Sequence, residues 1–587
     1  MTAGVARRVG LAAVGLVLTF VGVFGVLAPP ESCPDRTADE LRDSAGEAAA
    51  WFVRNQRPDG RWMYLYDADR DVSIRDYNVV RHAGAMMGLY QAASAGMPGT
   101  LESADRGMAW VEGHLLVRDD WTAIRYRGDV AVGATALLVA GLVERRQLTG
   151  DTVHDDLLER AGRFLVAQTE PSGAVAARYS PTERRPLTGE YSKYYTGEAY
   201  WALGLLHQVL PDGPWRATAD RIGAYLATSR DADEKYWPPL PDHWSAYGLA
   251  ESLVRPLTDD EIAHTRRQAG LFGAQVRWVS QQEGPWGPLV RGPMQPRGGG
   301  YGVNGEALSQ LWRVAQAEPR LAALRAPLAE RARCVAGLMA DAQSDRDEAA
   351  ATPTPGRVRG AWFLHGETRM DDQQHALSAL LATIPIVEAG EGDGGSARPA
   401  PSSWLWLVAL VAAFDPFRVT RGLPRDGRDR RSVTVVAGVG GLLGSAVVVV
   451  LALAGDGLVD ALGVSTPALR LAAGAVAAVA GLVGMVRRAS DTPVPALPGL
   501  RAALVPVAVP LVVVPALVLL AVSAYADRGL APVAVALAVG VAASTALAAA
   551  VPEDGPVAAV LTWATRFSSA LLLATGVLLV VNGVLDV

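Results

Sequence analysis

The stretch Asp76-Tyr77-Asn78-Val79-Val80-Arg81-His82-Ala83-Gly84-Ala85-Met86-Met87-Gly88-Leu89-Tyr90 decides the fold. Val79, Val80, Ala83, Met86, Met87 and Tyr90 are apolar at helical spacing and cover more than one face, so this helix is buried on most sides. Its first turn nevertheless carries Tyr77, Asn78, Arg81 and His82, which are costly to bury unpaired. A buried helix with a polar mouth is how a helical barrel presents a site.

The design recurs five more times before residue 385. Segments beginning near Tyr77, Tyr126, Tyr195, His243, Val303 and Asp371 each open on polar or aromatic residues and continue with small apolar ones. Between them lie six more charged, amphipathic segments near 40–57, 101–116, 151–168, 215–229, 258–282 and 319–343. The period is roughly fifty to sixty residues. Six inner and six outer helices predict an all-α, closed (α/α)6 toroid over residues 38–388. Thr196-Gly197-Glu198-Ala199 and Asn304-Gly305-Glu306-Ala307 open the third and fifth inner helices alike. Thr and Asn are N-cap residues, and Glu in a first turn suits the helix dipole.

A second internal match lies at the ends of outer helices. Gln56-Arg57-Pro58-Asp59-Gly60-Arg61-Trp62 reads Gln-x3-Gly-x-Trp, with looser versions at Gln168–Gly173 and Gln281–Trp286. This segment resembles the QW repeat of the terpene-cyclase and prenyltransferase toroids. The six-hairpin count is similar to that superfamily and to the six-hairpin glycosidases. The resemblance implies the fold; activity varies among proteins sharing it. The Asp-x-Asp-Asp acid of class II terpene cyclases has no match, Asp67-Ala68-Asp69-Arg70-Asp71 being the nearest run. The zinc ligands of protein prenyltransferases are also missing, so neither metal nor cofactor is expected.

Composition divides the 587 residues. All eight His lie between His82 and His375, and twelve of fifteen Trp and fourteen of fifteen Tyr precede residue 403. Beyond it the chain is mostly Ala, Val, Leu and Gly. A net charge of −6 with only two lysines, Lys193 and Lys235, offers no stripe for nucleic acid. Residues 9–28 are apolar after Arg7-Arg8 and read as an uncleaved anchor with a cytoplasmic N-terminus, so residues 1–37 form anchor and spacer. Residues 389–402 read as a flexible linker. Residues 403–587 read as a membrane domain of about six helices, with apolar runs near 403–417, 432–455, 467–487, 501–524, 529–551 and 567–586. Arg418, Arg421, Arg425, Arg428, Arg430 and Arg431 crowd one loop, and Arg487, Arg488 and Arg501 flank another. Counting crossings puts both in the cytoplasm and the toroid outside. Arg566 is the one charge noted near an apolar run. Cys33 and Cys334 exclude a CxxC framework; in an exported domain they can pair, and two free thiols is the other reading.

The inner-helix mouths collect the candidate site. Glu198, Glu306, Asp371, Asp372 and His375 are the catalytic candidates, since carboxylates do acid–base work on glycosidic bonds. Tyr77, Asn78, Arg81, His82, Tyr126, Arg127, Lys193, Tyr195, His243, Trp244, Tyr301 and Trp362 are the substrate-binding candidates, since aromatics stack on sugars and Arg or Lys hold anions. Glu198 and Glu306 also fit plain helix-dipole roles, Asp371 or Asp372 an N-cap, and His82 a satisfied core histidine. Clustering at one end of six helices favours a site. The expectation is a membrane-anchored, extracytoplasmic enzyme acting on an envelope glycan or glycolipid, hydrolase before lyase or epimerase. An isoprenoid-handling cyclase-like protein and a non-catalytic glycan-binding or assembly protein are the alternatives. Membrane lipid is an expected partner and nucleic acid is not; the sequence names no protein partner.

Overall fold

A computed structural model describes residues 3–74, 76–284, 286–292, 298–390, 401–425, 428–486, 497–551 and 557–587. Most of the expected linker and both Arg487 and Arg488 lie outside the described residues. The chain forms two compact units. One comprises Cys33–Ser280, Met294–Ala397 and Val587; the other comprises Met1–Ser32, Gln281–Pro293 and Arg398–Asp586. Helix α1 (Ala3–Gly22) opens the chain and belongs to the second of these.

The first unit is a ring of helix pairs. Outer helices are α2 (Ala38–Arg54), α4 (Thr100–Glu112), α6 (Asp155–Gln168), α8 (Trp215–Thr228), α10 (Asp259–Gln282) and α12 (Arg325–Ala342). Inner helices are α3 (Val79–Ser94), α5 (Val132–Thr149), α7 (Tyr195–Val209), α9 (His243–Glu251), α11 (Gly298–Ala317) and α13 (Met370–Glu388). Each inner helix packs on the next, and α13 returns to pack on α3 and α2, closing an (α/α)6 toroid. The inner helices are buried nearly all round, as in α3, where His82 through Tyr90 are buried without a break. The short strands are hairpin ornaments; the largest sheet has three strands of three residues each, Leu65–Asp67, Val72–Ile74 and Glu367–Arg369.

Local chemistry sets the helix starts. Asn78 accepts from the amides of Val80 and Arg81, and Asp242 from those of Trp244 and Ser245, each capping an inner helix. The second inner helix begins at Val132, not near Tyr126. Tyr126 and Asp129 instead exchange backbone hydrogen bonds across a turn in which Arg127 and Gly128 both have positive φ. The fifth begins at Gly298, ahead of the expected Val303, so Asn304 lies inside it and is no cap; Thr196 likewise lies inside α7, behind Tyr195. The Gln-x3-Gly-x-Trp segment joins hairpins: Gln56 bonds the Gly60 and Ser103 carbonyls, and Trp62 lies against Gly107. Gly60 and Gly173 take the same place in two repeats, with φ of +90° and +98°. A Cβ on either would come within 2.3 Å of a carbonyl of the next outer helix, Arg106 or Arg221. Cys33 and Cys334 form a disulfide that ties the segment before α2 to α12. Beside it, a Cβ on Gly337 would stand 2.0 Å from the Pro34 carbonyl oxygen.

The second unit contains α1, α14 (Ser403–Phe414), α15 (Arg430–Leu462), α16 (Thr466–Val486), α17 (Pro515–Arg528), α18 (Leu530–Ala550) and α19 (Val557–Leu585). Among the described residues, six helices are long and apolar enough to cross a membrane, α14 counting with the turn to Arg421. The expected single run over 501–524 is instead broken. Residues Gly499–Val512 meet α17 at 70°, because Pro506, Pro510 and Pro515 lack amide donors and Val505 and Val509 are extended. Glycines 474, 481, 576 and 583 let α16 and α19 touch backbone to backbone. Arg566 is not the only charge at an apolar helix. Arg470 lies inside α16, fully buried, bonded to Asp527, Asn582 and Asp586 at 2.6–2.9 Å. Those partners sit at helix ends, so the cluster staples one end of the bundle.

Candidate functional site

A cavity of about 480 Å³ opens where the inner helices begin. Nine of the candidates line it: Asn78 and Arg81 from α3, Tyr195 and Glu198 from α7, His243 and Trp244 from α9, and Asp371, Asp372 and His375 from α13. Glu306 of α11 stands directly behind. The other seven stand elsewhere. Tyr77 and His82 are core residues: His82 Nδ1 lies 2.6 Å from the Tyr77 hydroxyl and Nε2 3.0 Å from the Gly107 carbonyl. Both imidazole nitrogens are occupied, and burial pushes its pKa down to about 3. Trp362 is buried and donates to the Met339 carbonyl; Tyr301 is buried in the ring. Lys193 is exposed, as is Arg127, which pairs with Asp76 and covers the ring of Tyr126.

The densest chemistry joins three helices. Glu306 Oε2 lies 2.7 Å from His375 Nδ1, while its Oε1 accepts from Tyr247 at 3.2 Å and from Gln374 at 3.4 Å. Burial would lower the pKa of His375, but the Glu306 charge and hydrogen bond, with Asp371 and Asp372, raise it instead. His243 faces this pair. Its ring is 5.2 Å from that of His375, its Nε2 is 4.0 Å from Glu306 and carries no hydrogen bond. Burial, with His375 adding to it, holds His243 neutral. The two imidazoles that share this wall are thus shifted in opposite directions, while burial raises the pKa of Glu306 between them.

Glu198 forms another part. Its Oε2 is buried without a partner, and burial, helped by Asp242, pushes its pKa up to about 8. The side chain occupies a slot made by Gly133, where a Cβ would stand 2.2 Å from Oε2. At neutral pH it is a carboxylic acid with a proton to give. Across the ring, Asp371 lies 3.1 Å from Arg81 Nε and 3.5 Å from Arg369, with Oδ1 unpartnered. Asp372 accepts from the Gly299 amide and from Arg369.

Arg81 faces the cavity, yet its guanidinium is engaged: Nε with Asp371 and Nη1 with the Tyr64 hydroxyl. Its task is to hold Asp371. Arg81→Lys keeps the charge and loses the two-point hold. Losing a charge-assisted bond of about 1.5–3 kcal/mol should lower the kcat of any reaction that uses Asp371 on the order of 10–100-fold. A steady-state comparison in which KM moved and kcat did not would assign Arg81 to substrate binding instead.

Sequence reasoning missed Gln374, Tyr64 and the Gly298–Gly300 run. A Cβ on Gly298 or Gly299 would come within 2.6 Å of Asp372 oxygens, and one on Gly302 would meet the His375 backbone at 2.4 Å. The glycine run was the available signal for close approach of α11 to α13. Among the described residues, His243, Glu306 and His375 are also a group that could hold a metal, their ligand atoms lying within 4.8 Å of one another. The 2.7 Å contact has the length of a charge-assisted hydrogen bond, which accounts for the pair without an ion.

No family model and no curated sequence matches the chain. Solved structures do. A cellobiose 2-epimerase from Bacillus thermoamylovorans aligns over 59% of this chain and 98% of its own, at 11% identity and TM-score 0.41. A glycoside hydrolase family 76 mannosidase from Bacteroides thetaiotaomicron aligns over 60% and 99%, at 11% and 0.39. A type II terpene cyclase from Scytonema aligns over 60% and 98%, at 11% and 0.36. Those three chains have different activities, and likeness at this level selects none of them for this one.

Proposed function

We propose that the chain is a membrane-anchored hydrolase acting on a cell-envelope glycan or glycolipid. One observation carries the reading: acid Glu198 and carboxylate Asp371 belong to the third and sixth inner helices, opposite places in the ring, and line the same cavity. Glycoside hydrolysis needs a proton donor for the leaving oxygen and a second carboxylate across the scissile bond. Glu198 supplies the first. Asp371, held by Arg81 and Arg369, supplies the second as base or nucleophile. Trp244 and Tyr195 offer faces for a sugar ring. The apolar helices support anchoring. The arginine-rich loop at 418–431 supports a cytoplasmic side for that loop, and the disulfide supports an oxidising compartment for the ring.

The test is the full-length protein in detergent with envelope polysaccharide and glycolipid fractions. New reducing ends should appear, and Asp371→Asn should abolish them. Bound sugar with no turnover would make the protein a glycan-binding one. An apolar cyclase pocket is a poor match for a wall bearing Glu198, Asp371, Asp372, Arg81 and Arg369.

The facing His243 and His375 favour a second reading, proton transfer beside a sugar carbonyl, as in epimerisation. It predicts deuterium uptake from D2O into a reducing sugar with no bond cleaved. Under either reading, activity should survive exhaustive chelation. Loss on chelation, restored by one equivalent of a divalent ion, would make His243, Glu306 and His375 metal ligands.

A further inference from the structure

The second unit holds a cavity of about 760 Å³, within the roughly 300–1,000 Å³ of small-molecule sites. Its walls come from α1 and the turn after it, the end of α14, α16, the start of α17 and α19, and they are mostly aliphatic. The hydroxyls on them are already used: Thr19, Thr565 and Ser569 each bond a carbonyl one turn back in their own helix. Two charged residues remain on the wall, Asp415 and Arg418.

They are not equivalent. Asp415 is buried and caps the turn Pro416–Arg421, its Oδ1 accepting from the Arg418 amide. The Arg418 guanidinium reaches the break between Gly499–Val512 and α17. Its Nη2 donates to the carbonyls of Ala413, Phe414 and Leu511 at 3.1–3.3 Å. Its Nε is buried without a hydrogen bond, and among the described residues no side-chain carboxylate bonds the guanidinium. A cation with an unbonded Nε, and with the Asp415 carboxylate near it, thus stands at one end of an apolar chamber, beside the loop that carries Arg421, Arg425, Arg428, Arg430 and Arg431. Broken helices tolerate freed backbone groups in a membrane where they line such a chamber.

We propose that this cavity binds one acidic membrane lipid, its chain along α16 and α19 and a phosphate oxygen at Arg418. Basic pockets between membrane helices recognise anionic headgroups through this chemistry, and a chain gains from each methylene removed from water. The site is independent of the ring's reaction.

The experiment uses the full-length protein in mild detergent, titrated with phosphatidylglycerol, phosphatidylcholine or inorganic phosphate and read by native mass spectrometry. One phosphatidylglycerol per chain should be retained, at least about tenfold over phosphatidylcholine, and inorganic phosphate should not displace it. Arg418→Gln should remove the preference. Ala480→Phe, which narrows the chamber and leaves Arg418 intact, should cut retention of both phospholipids; it decides the matter should Arg418→Gln fail to fold. Equal retention of the two phospholipids by the unaltered protein, displacement by inorganic phosphate, or undiminished binding in Ala480→Phe would overturn the proposal.

Discussion

Glu198→Gln is expected to lower kcat/KM by about 10²–10⁴-fold while leaving the ring folded, the range set by removing a positioned acid. Gln has the shape of the protonated acid, fits the Gly133 slot and cannot give up a proton. The pH behaviour makes the expectation specific. With the carboxyl pushed up to about 8, the proposed hydrolase activity of the unaltered protein should fall as pH rises through that region, because the donor ionises. Stability follows the same group. Folded Glu198 keeps its proton between the ordinary value of 4.5 and about 8, where the unfolded chain has released it. The folded state therefore binds more protons, and stability falls as pH rises across that window. Glu198→Gln should flatten this slope and melt higher than the unaltered protein near pH 8. Denaturant melts from pH 5 to 9 beside rate profiles check both halves. An unchanged basic limb in the variant would remove Glu198 from the acid role.

Cutting the Cys33–Cys334 link should destabilise the ring by about 2–5 kcal/mol, the usual cost of losing a native disulfide. The bond spans 301 residues of sequence, so it restrains nearly the whole ring in the unfolded chain. It also holds the segment before α2 against α12, where Gly337 permits close passage of Pro34. Arg36 makes a further ion pair with Asp341 there, but both side chains are more than a third exposed, so that pair adds little. Cys334→Ser, and the unaltered protein under reductant, should show the same shift of the denaturant midpoint. Reduction with no shift, or two titratable thiols in the untreated protein, would contradict the link.

The alternation of buried and amphipathic helices was legible because the inner helices are apolar round most of their middle turns, with polar residues gathered toward their ends. Asn78 and Asp242 cap their helices, a role the sequence reading gave instead to Thr196 and Asn304, which lie inside α7 and α11. The turn at Tyr126–Asp129 was missed: Gly128 marked it, but the positive φ of Arg127 left no trace of its own. The site was half legible. Residues on inner-helix mouths could be named, but not which of them point inward. Tyr77 and His82 satisfy each other in the core, whereas Arg81, one position away, reaches the cavity. Glu306 and His375 are 69 positions apart, and no local pattern joins them. In the second unit the break before α17 was missed, the run over 501–524 being read as one, although Pro506, Pro510 and Pro515 stood in it. The company Arg470 keeps required three helix ends to meet.

The closure of the ring sets when this protein can begin to act. Asp371, Asp372 and His375 all sit on α13, the last inner helix to leave the ribosome, and α13 must find α2 and α3, which end at Arg54 and Ser94, far earlier in the chain than Met370. Contacts this distant form late and slowly. Until then α11 and α3 expose apolar flanks, the kind of surface that chaperones and proteases survey. A nascent or truncated chain therefore carries Glu198 without Asp371 and has half a reaction centre. On the proposed reading, catalytic competence would arrive only with completion of the fold, and a hydrolase of this design would stay silent during its own biogenesis.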